Sequence, residues 1–308
     1  MALVSVIIPA FNAASFIARS LEGVRRQTHT DIEVIVVEDG SNDGTERLVF
    51  EFSKSSGISV SYTNHGENFG VSETRNRALS IARGEVIAFL DSDDWWTDDH
   101  LRMGMNALRG GAGLCYSGFH LHDEATGKSI KAPPPSDAQL QTPLVAIFEA
   151  NFIQTSSLMM LKREVFDANG NFDPNLKVGE DCDYWLRALG RGWQLAYTGH
   201  ASCNYVKHPD SAMSKTLMVS EHMARFYQKH LQSSFVPKTL RRKCYARSLL
   251  NWGRLVRRDN PRLARSLFFQ GWRTQPLNWI CAFYAMASFG PTGRNGERSL
   301  MVNGIHNS

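Results

Sequence analysis

Residues 84–94 have the sequence GEVIAFLDSDD, in which five apolar residues run directly into Asp91-Ser92-Asp93-Asp94. An uninterrupted apolar run of this length predicts a strand that is buried on both faces, as in a parallel sheet. The acidic loop, residues 91–94, then follows the carboxyl end of that strand. Open α/β sheets bind their ligands at such ends, so this stretch indicates both the fold and a candidate site.

The segments before this strand alternate between strand and helix patterns. Predicted strands cover residues 5–9, 33–37 and 58–63, and predicted helices lie near residues 16–24, 45–54 and 72–82. The first helix repeats apolar residues at helical spacing, and Asn12 is positioned to cap it. This alternation predicts an α/β fold, Rossmann-like, with a mixed but mainly parallel sheet flanked by helices.

The carboxylates of the acidic loop repel one another, and a hard divalent cation would relieve that repulsion. Carboxylate, phosphate and water oxygens suit Mg²⁺ or Mn²⁺, so the loop is a candidate site for a metal shared with a nucleotide diphosphate. The alternative is an acidic turn that only caps the next helix. A calcium EF-hand loop starting at Asp91 is disfavoured, because such a loop has Gly at its sixth position and Glu at its twelfth. This sequence has Trp96 and Arg102 at those positions.

Other sequence features limit the classes of protein. Neither a Walker A loop nor GxGxxG occurs, although a phosphatase-type nucleophilic aspartate at a strand end stays open as an alternative. The five cysteines are widely spaced without a CxxC pair, which indicates neither zinc binding nor a disulfide framework. No basic leader precedes the first apolar strand, and we therefore expect a cytoplasmic protein without a cleavable signal peptide.

Three stretches resemble the motifs of family 2 glycosyltransferases, in matching order and spacing: residues 4–12, 36–45 and 84–94. The resemblance continues through residues 68–70, 75–76 and 179–181, and covers about residues 2–214. It implies a GT-A fold, in which a nucleotide-binding α/β half is joined to an acceptor half. It also implies that a sugar leaves a nucleotide-sugar donor with inversion of its anomeric configuration.

The same resemblance implies which residues surround the nucleoside. Pro9, Phe11 and Asn12 would line the pocket, and Asp39 would bind uracil or an equivalent base. An aromatic wall with one acceptor carboxylate suits a base that carries an N–H donor. The family often has Tyr where Phe11 stands and Asp where Glu38 stands.

Four residues complete the implied nucleotide site. Glu38, Asp91 and Ser92 belong to it by their positions in the motifs. Arg75 would reach the diphosphate or orient Asp91, since a guanidinium group suits both phosphate and carboxylate. The alternative for Arg75 is an ion pair on a helix surface.

The resemblance also implies the metal ligands. Asp93 would be the main ligand and Asp91 a metal or ribose contact, with Asp94 next in line. His208 stands where many relatives carry a histidine that contacts metal or diphosphate, and imidazole is a suitable additional ligand. A structural histidine is the alternative.

Residues 180–189 have helical periodicity and begin with two carboxylates. The resemblance places Glu180 and Asp181 beneath the acceptor, with Asp181 as the base that removes a proton from the attacking hydroxyl. The alternative is an acidic helix start that the helix dipole favours. Asp183 and Arg187 are spaced for an i,i+4 ion pair, so Asp183 is assigned a structural role.

The predicted organisation has two parts. Residues 1–235 form the glycosyltransferase domain, with a nucleotide-binding half (1–96) and an acceptor half (97–235), and residues 236–308 form a basic helical appendage. From Pro237 onward the chain has thirteen Lys and Arg against two acidic residues. The apolar face of the appendage either packs on the catalytic domain or lies on an anionic membrane. No recognition motif accompanies the charge, so nucleic acid is not an expected partner.

Three smaller predictions concern segment structure. Residues 124–143, which include three consecutive prolines, are expected to form a mobile excursion. Breaks at Pro261 and Pro276 divide the appendage into two or three helices. Residues 277–289, the longest apolar run, fit a buried helix better than a transmembrane span.

The sequence therefore predicts a metal-dependent inverting glycosyltransferase that uses a nucleotide-sugar donor, with UDP as the expected nucleotide. The expected acceptor is a hydroxyl of a glycan or lipid-linked glycan, in the synthesis of polysaccharide, lipopolysaccharide or another cell-surface glycan. Two alternatives stay open. The acidic loop could serve a nucleotidyltransferase or phosphatase, or the chain could be a non-catalytic, membrane-associated assembly factor that retains the fold.

Overall fold

The computed structural model describes residues 2–208, 216–276, 280 and 283–284. Its first half contains four parallel strands in the order β3-β2-β1-β4: β1 (Val4–Ala10), β2 (Ile32–Glu38), β3 (Ser59–Asn64) and β4 (Val86–Phe89). The connecting helices are α1 (Ile17–Arg25), α2 (Thr45–Ser56) and α3 (Val71–Ile81). Strands β1, β2 and β4 are buried along their whole length, as their uninterrupted apolar runs predict.

The predicted cap of α1 is wrong. The helix begins at Ile17, after Phe16, and no side chain caps it. Asn12 instead adopts a left-handed backbone conformation, with φ of 50°, and its backbone N–H donates to Ser41 Oγ at 2.8 Å. The loop after β1 is therefore tied to the loop after β2, which keeps Asn12 away from the helix start.

The second half adds antiparallel pairs to the same sheet. Its strands are β5 (Trp95–Trp96), β6 (Leu114–Asp123), β7 (Lys128–Lys131), β8 (Met159–Lys162) and β9 (Leu195–Lys207). β8 pairs antiparallel with β4 and with β6, while β9 runs parallel to β6 and antiparallel to β5. The helices are α4 (His100–Arg109), α5 (Asp137–Gln141), α6 (Pro143–Glu149), α7 (Arg163–Asn169) and α8 (Glu180–Gly190). This mixed α/β sheet flanked by helices confirms the predicted fold class.

Residues 124–143 contain regular structure that the sequence does not predict, while their mobility stays a prediction. β7 forms an antiparallel hairpin with the end of β6, and α5 begins with a capping box between Ser136 and Gln139. All four residues of β7 are exposed, so the strand has no alternating apolar pattern that would reveal it.

Three basic helices follow: α9 (Thr216–Lys229), α10 (Lys238–Val256) and α11 (Pro261–Thr274). The predicted break at Pro261 is confirmed. α10 packs against α9 and α11 through buried Tyr245 and Leu249, and Lys243 Nζ lies 2.6 Å from Glu149 Oε1 of α6. The described part of the appendage thus packs on the catalytic domain, while the division at residue 235 stays a prediction.

The prediction for residues 277–289 lies almost entirely outside the described residues. Within the described ranges, none of the helices is both long enough and apolar enough to cross a membrane.

Candidate active site

A cleft of about 440 Å³ opens where β1, β2 and β4 end. The ends of parallel strands meet at one sheet edge, which brings residues from distant motifs together there. Nine of the predicted site residues line this cleft: Pro9, Phe11, Asp39, Arg75, Asp91, Ser92, Asp93, Glu180 and Asp181.

Asp39, at the end of β2, has a buried and well-held carboxylate. It accepts hydrogen bonds from the backbone N–H groups of Phe69, at 2.8 Å, and Gly70, at 2.9 Å, where α3 begins. His65 Nδ1 lies 3.3 Å from the same carboxylate. Phe11 is 51% exposed on the cleft wall, so its ring is available to stack on a flat ligand.

Two residues predicted for the nucleotide site do not line the cleft. Glu38 is 1% exposed and accepts a short hydrogen bond from the Ser41 hydroxyl. Burial raises the pKa of Glu38 above its ordinary value. Ser41 also accepts a hydrogen bond from the backbone N–H of Asn12, so buried Glu38 and exposed Asn12 are both tied to Ser41 outside the lining of the cleft.

Arg75 connects the acidic loop to the start of α8. Its Nη2 donates to Asp91 Oδ1 and its Nη1 donates to Glu180 Oε1, both at 2.8 Å. Burial alone would lower the pKa of Arg75, but the charges of Asp91, Glu180 and Asp181 raise it above its ordinary value. The side chain is 4% exposed, which excludes the helix-surface ion pair, and its observed partners are Asp91 and Glu180.

Two hydroxyls that the sequence did not indicate hold the acidic loop in place. Thr155 Oγ1 lies 3.0 Å from Asp91 Oδ2 and 2.9 Å from Asp94 Oδ2, and Ser157 Oγ donates to Asp94 Oδ2 at 2.6 Å. Both come from a short 3-10 helix, Ser156–Leu158, and its N-cap Thr155, more than sixty residues downstream of the loop. No periodic or motif signal marks them, so only the fold reveals the contact.

Asp94 anchors the loop and does not face the cleft. It is fully buried, and its second oxygen accepts a hydrogen bond from the Val206 N–H at 2.9 Å. Burial and the charges of Asp93 and Asp91 raise the pKa of Asp94 well above its ordinary value. Ranking Asp94 next among the metal ligands is therefore wrong, because its carboxylate is fully buried and does not line the cleft, whereas Asp91 and Asp93 do.

Asp93 lines the cleft and pairs with His208, which itself is not among the lining residues. His208 Nε2 lies 3.0 Å from Asp93 Oδ2, and its ring centroid is 5.0 Å from that of Phe16. Burial and the charge of Asp91 raise the pKa of Asp93, while His208 counteracts them. In the described part of the chain, no three acidic, imidazole or thiol side chains are grouped to hold a metal ion.

Asp181 lies in the first turn of α8, next to the Arg75 pairing. Its Oδ1 accepts a hydrogen bond from the Cys182 N–H at 2.6 Å. Burial and the charge of Glu180 raise the pKa of Asp181 to about 7, against the lowering effect of Arg75. A carboxyl group with this pKa can accept a proton near neutral pH.

Asp183 has the structural role that the sequence predicts. Its buried carboxylate binds Arg187 Nε at 2.9 Å, Lys229 Nζ at 2.6 Å and His230 Nε2 at 3.1 Å. Burial would raise the pKa of Asp183, but the hydrogen bonds from His230 and Lys229 lower it well below its ordinary value. The group ties α8 to α9.

Sequence comparison identifies relatives of the chain. The model of Glycosyl transferase family 2 matches residues 5–170, which is more than half of the chain. The protein named as the teichuronic acid biosynthesis glycosyltransferase TuaG of Bacillus subtilis is 33% identical over 198 residues. That alignment covers 62% of this chain and 73% of TuaG.

Solved structures support the fold. S. aureus TarS in complex with UDP-GlcNAc has a TM-score of 0.70 at 17% identity, covering 93% of this chain and 89% of that chain. The mannosyltransferase PcManGT from Pyrobaculum calidifontis, in complex with GDP-Man and Mn²⁺, has a TM-score of 0.62 at 18% identity, covering 93% and 86%. With the family match, these findings show that the chain is an enzyme of glycosyltransferase family 2 with the GT-A fold.

Proposed function

We propose that the enzyme transfers a sugar from a uridine diphosphate donor to a hydroxyl acceptor, with inversion, in cell-surface glycan synthesis. One observation carries the proposal: Phe11, Asp39 and Asp181, whose pKa is about 7, share a single cleft. The complex of TarS with UDP-GlcNAc supports a uridine nucleotide. The name of TuaG supports a role in cell-surface polymers.

The donor would bind with its base between the Phe11 ring and the Asp39 carboxylate. Asp39 accepts hydrogen bonds from two backbone N–H groups, and these bonds hold the carboxylate in place before any ligand binds. A carboxylate has lone pairs for further acceptance, so it can also receive the base N–H. Arg75 orients Asp91 toward the sugar and diphosphate side of the cleft.

A divalent cation fits the chemistry of the residues present. Asp93 and Asp91 offer hard oxygen ligands, and His208 lies beside Asp93. Burial and, after it, the charge of Asp91 raise the pKa of Asp93, and a cation would favour the charged form of both carboxylates. The absence of a three-ligand group among the described residues fits an ion that shares its coordination with the donor diphosphate. When bound, Mg²⁺ or Mn²⁺ would stabilise negative charge on the departing diphosphate. The solved structure of PcManGT is a complex with GDP-Man and Mn²⁺, which supports this assignment.

Transfer requires the acceptor hydroxyl to lose its proton while its oxygen attacks the anomeric carbon. Asp181 takes that proton. The new carbon–oxygen bond forms opposite the diphosphate, and the old bond breaks with its electron pair going to the phosphate oxygen. Attack from the opposite face inverts the anomeric carbon. Glu180 is paired with Arg75, and it therefore positions the site rather than taking the proton.

We also propose that the appendage brings the enzyme to an anionic membrane at its cytoplasmic face. Phe269 and Trp272 of α11 are 41% and 38% exposed, with ring centroids 5.8 Å apart, and the Arg273 guanidinium lies 5.7 Å from the Phe269 ring. Exposed aromatic rings beside basic groups suit the interface of an anionic bilayer. Vesicles with phosphatidylglycerol should sediment the enzyme, and Trp272→Ser should reduce binding; equal binding to neutral vesicles would contradict this.

The donor and the chemistry can be tested together. The enzyme is incubated with UDP-, GDP- and dTDP-sugars, with and without EDTA, and the anomeric configuration of the product is read by NMR. We expect transfer only from a UDP-sugar, with inversion and with loss of activity in EDTA. Consumption of a nucleoside triphosphate, or release of phosphate alone, would instead favour the nucleotidyltransferase or phosphatase alternative.

A further inference from the structure

A second cavity, of about 290 Å³, adjoins the cleft. Gln154 and Tyr205 line both spaces, so a ligand in the second cavity can extend toward Asp181. The walls of this side cavity come from β6, β9, the proline segment 133–135 and residues 152–158. None of these wall residues belongs to the motifs of the donor site.

The wall on β6 depends on a distortion of the strand. Residues in a regular strand alternate between two faces, yet residues 116–119 all line the side cavity. The register of β6 against β9 shifts on both sides of Gly118, and such bulges redirect side chains near active sites. A Cβ at Gly118 would lie 2.9 Å from the Tyr197 hydroxyl and 3.2 Å from Ala201 Cα, so glycine keeps this wall open.

Five aromatic residues are among those that line the side cavity. The Tyr116 centroid lies 5.5 Å from that of Phe152 and 5.1 Å from that of Tyr197. Phe119 and Tyr205 form an edge contact at 6.0 Å. Aromatic faces carry partial negative charge, and the C–H groups on the face of a pyranose ring are complementary to them.

A polar group accompanies these rings. Tyr205 lines both the side cavity and the cleft. Burial raises the pKa of Tyr205 to about 12, so its phenol stays neutral and can donate. A sugar hydroxyl can both accept a hydrogen bond from this phenol and donate one to it. A purely apolar occupant, such as a polyprenyl chain, would offer the phenol no hydrogen bond.

The side cavity also differs from the cleft in charge. No Lys, Arg, His, Asp or Glu is among the described residues that line it. A uronate or phosphate group would lose water there without gaining a counter-ion, which is strongly unfavourable. The volume is near the lower end of the roughly 300–1,000 Å³ of ligand pockets, which suits one ring.

We propose that the side cavity binds an uncharged pyranose ring of the acceptor glycan, next to the group that carries the attacked hydroxyl. The proposal rests on the proposed function, because it names the acceptor class of that reaction. It assigns discrimination against charged sugars to Phe152, Tyr197 and the wall on β6.

Ligand-observed NMR tests the proposal without requiring turnover. The full chain, with UDP and Mg²⁺, is mixed with millimolar methyl β-D-glucopyranoside, methyl β-D-galactopyranoside or methyl β-D-glucuronide, and saturation transfer from the protein is measured. We expect saturation transfer to at least one neutral glycoside and no saturation transfer to the glucuronide. Phe152→Ala should weaken neutral binding by about two- to tenfold, and Tyr197→Phe should weaken it less. Tyr62→Phe, on β3 and outside the side cavity, is the matched control and should have no effect.

A UDP-induced shift in melting temperature, measured on every variant, reports folding and the donor site separately. Equal saturation transfer to the glucuronide, or no saturation transfer to any neutral glycoside, would overturn the proposal even if UDP binds. Neutral glycoside binding without a UDP shift would instead uphold the side cavity and contradict the proposed donor.

Discussion

The cleft and the side cavity are built in different ways, although they adjoin. The cleft takes Phe11, Asp39 and the acidic loop from the ends of parallel strands, each within a few residues of an apolar run. The side cavity takes residues from β6, β9 and two loops, and its shape depends on a register shift beside Gly118. The position of a site at the edge of a parallel sheet thus follows from the order of the strands. The shape of the side cavity instead depends on the exact register of β6 against β9.

The two spaces also differ in electrostatics. In the cleft, the Arg75 cation lies between Asp91 and Glu180. The pKa of Asp181 is about 7, so both the protonated and the charged forms of this carboxyl group are present near neutral pH. The side cavity has no charged side chain among its described lining residues. Changes in the cleft should therefore alter the rate and donor binding, and changes in the side cavity should alter acceptor binding alone.

The largest expected effect is on catalysis by Asp181→Asn. Removing the base should lower kcat by roughly 10²–10⁴-fold, because no side chain then takes the proton from the attacking hydroxyl. The KM for the donor should stay unchanged. Steady-state kinetics with a UDP-sugar measure both constants. Glu180→Gln is the comparison variant, since Glu180 acts only through Arg75; a larger loss in kcat for Glu180→Gln would contradict the assigned roles.

The next effect is on stability. Arg75→Met leaves Asp91 and Glu180 without their shared cation, which should lower the free energy of unfolding by about 3–5 kcal/mol. Urea unfolding measures the change. Arg75→Lys should recover only part of it, because an ammonium group cannot reproduce the two directed contacts at 2.8 Å. Full recovery by lysine would show that charge alone matters at this position.

A smaller effect is expected for base stacking. Phe11→Ala should raise the donor KM by about 5- to 100-fold, corresponding to the roughly 1–3 kcal/mol of stacking a base on an aromatic ring. Phe50→Ala is the matched control, because Phe50 is similarly exposed, at 49% against 51%, but lies on α2 and does not line the cleft. If both variants raise KM alike, Phe11 does not hold the base.

The smallest effect concerns the contact between the appendage and the catalytic domain. The pair of Lys243 and Glu149 is close, at 2.6 Å, but both side chains are well exposed. Lys243→Ala should therefore lower the free energy of unfolding by less than about 1 kcal/mol and leave kcat unchanged. A larger loss, measured by urea unfolding, would mean that this contact contributes more to docking than the buried residues of α10.

Much of the donor half could be predicted from sequence because its signals are local. The runs before Asp39 and Asp91 are apolar and uninterrupted, which predicts buried parallel strands. The carboxyl ends of parallel strands all lie at the same edge of the sheet, so the polar residues that follow them meet there. Resemblance to the family then assigned Asp181, which spacing alone would have left as an acidic helix start.

Other features could not be predicted because their cause is tertiary. Thr155 and Ser157 hold the acidic loop from a single-turn 3-10 helix, which is too short to show a period. The strand β7 is exposed on both faces, so it has no alternating apolar pattern. The burial of Asp94 also depends on Val206, which is more than a hundred residues away. A local motif specifies that carboxylates are present, but the packing decides which of them reach the cleft.

The pKa of Asp181 adds a condition on stability. Because the folded value, about 7, exceeds the unfolded value of about 4, the folded enzyme binds this proton more tightly. The contribution of Asp181 to stability therefore falls as pH rises from about 4 to about 7, and is constant above that. Asp181→Asn should remove this dependence in melting curves recorded across the same range.

The pH dependence of the single-turnover transfer rate tests the central claim most directly, because product release does not limit it. With Asp181 as the base, the rate should rise tenfold per pH unit below pH 7 and level off above it. The residual rate of Asp181→Asn should lack this rise. A wild-type rate that is flat from pH 5 to pH 9, or a rise that persists in Asp181→Asn, would contradict the assignment of Asp181 as the catalytic base.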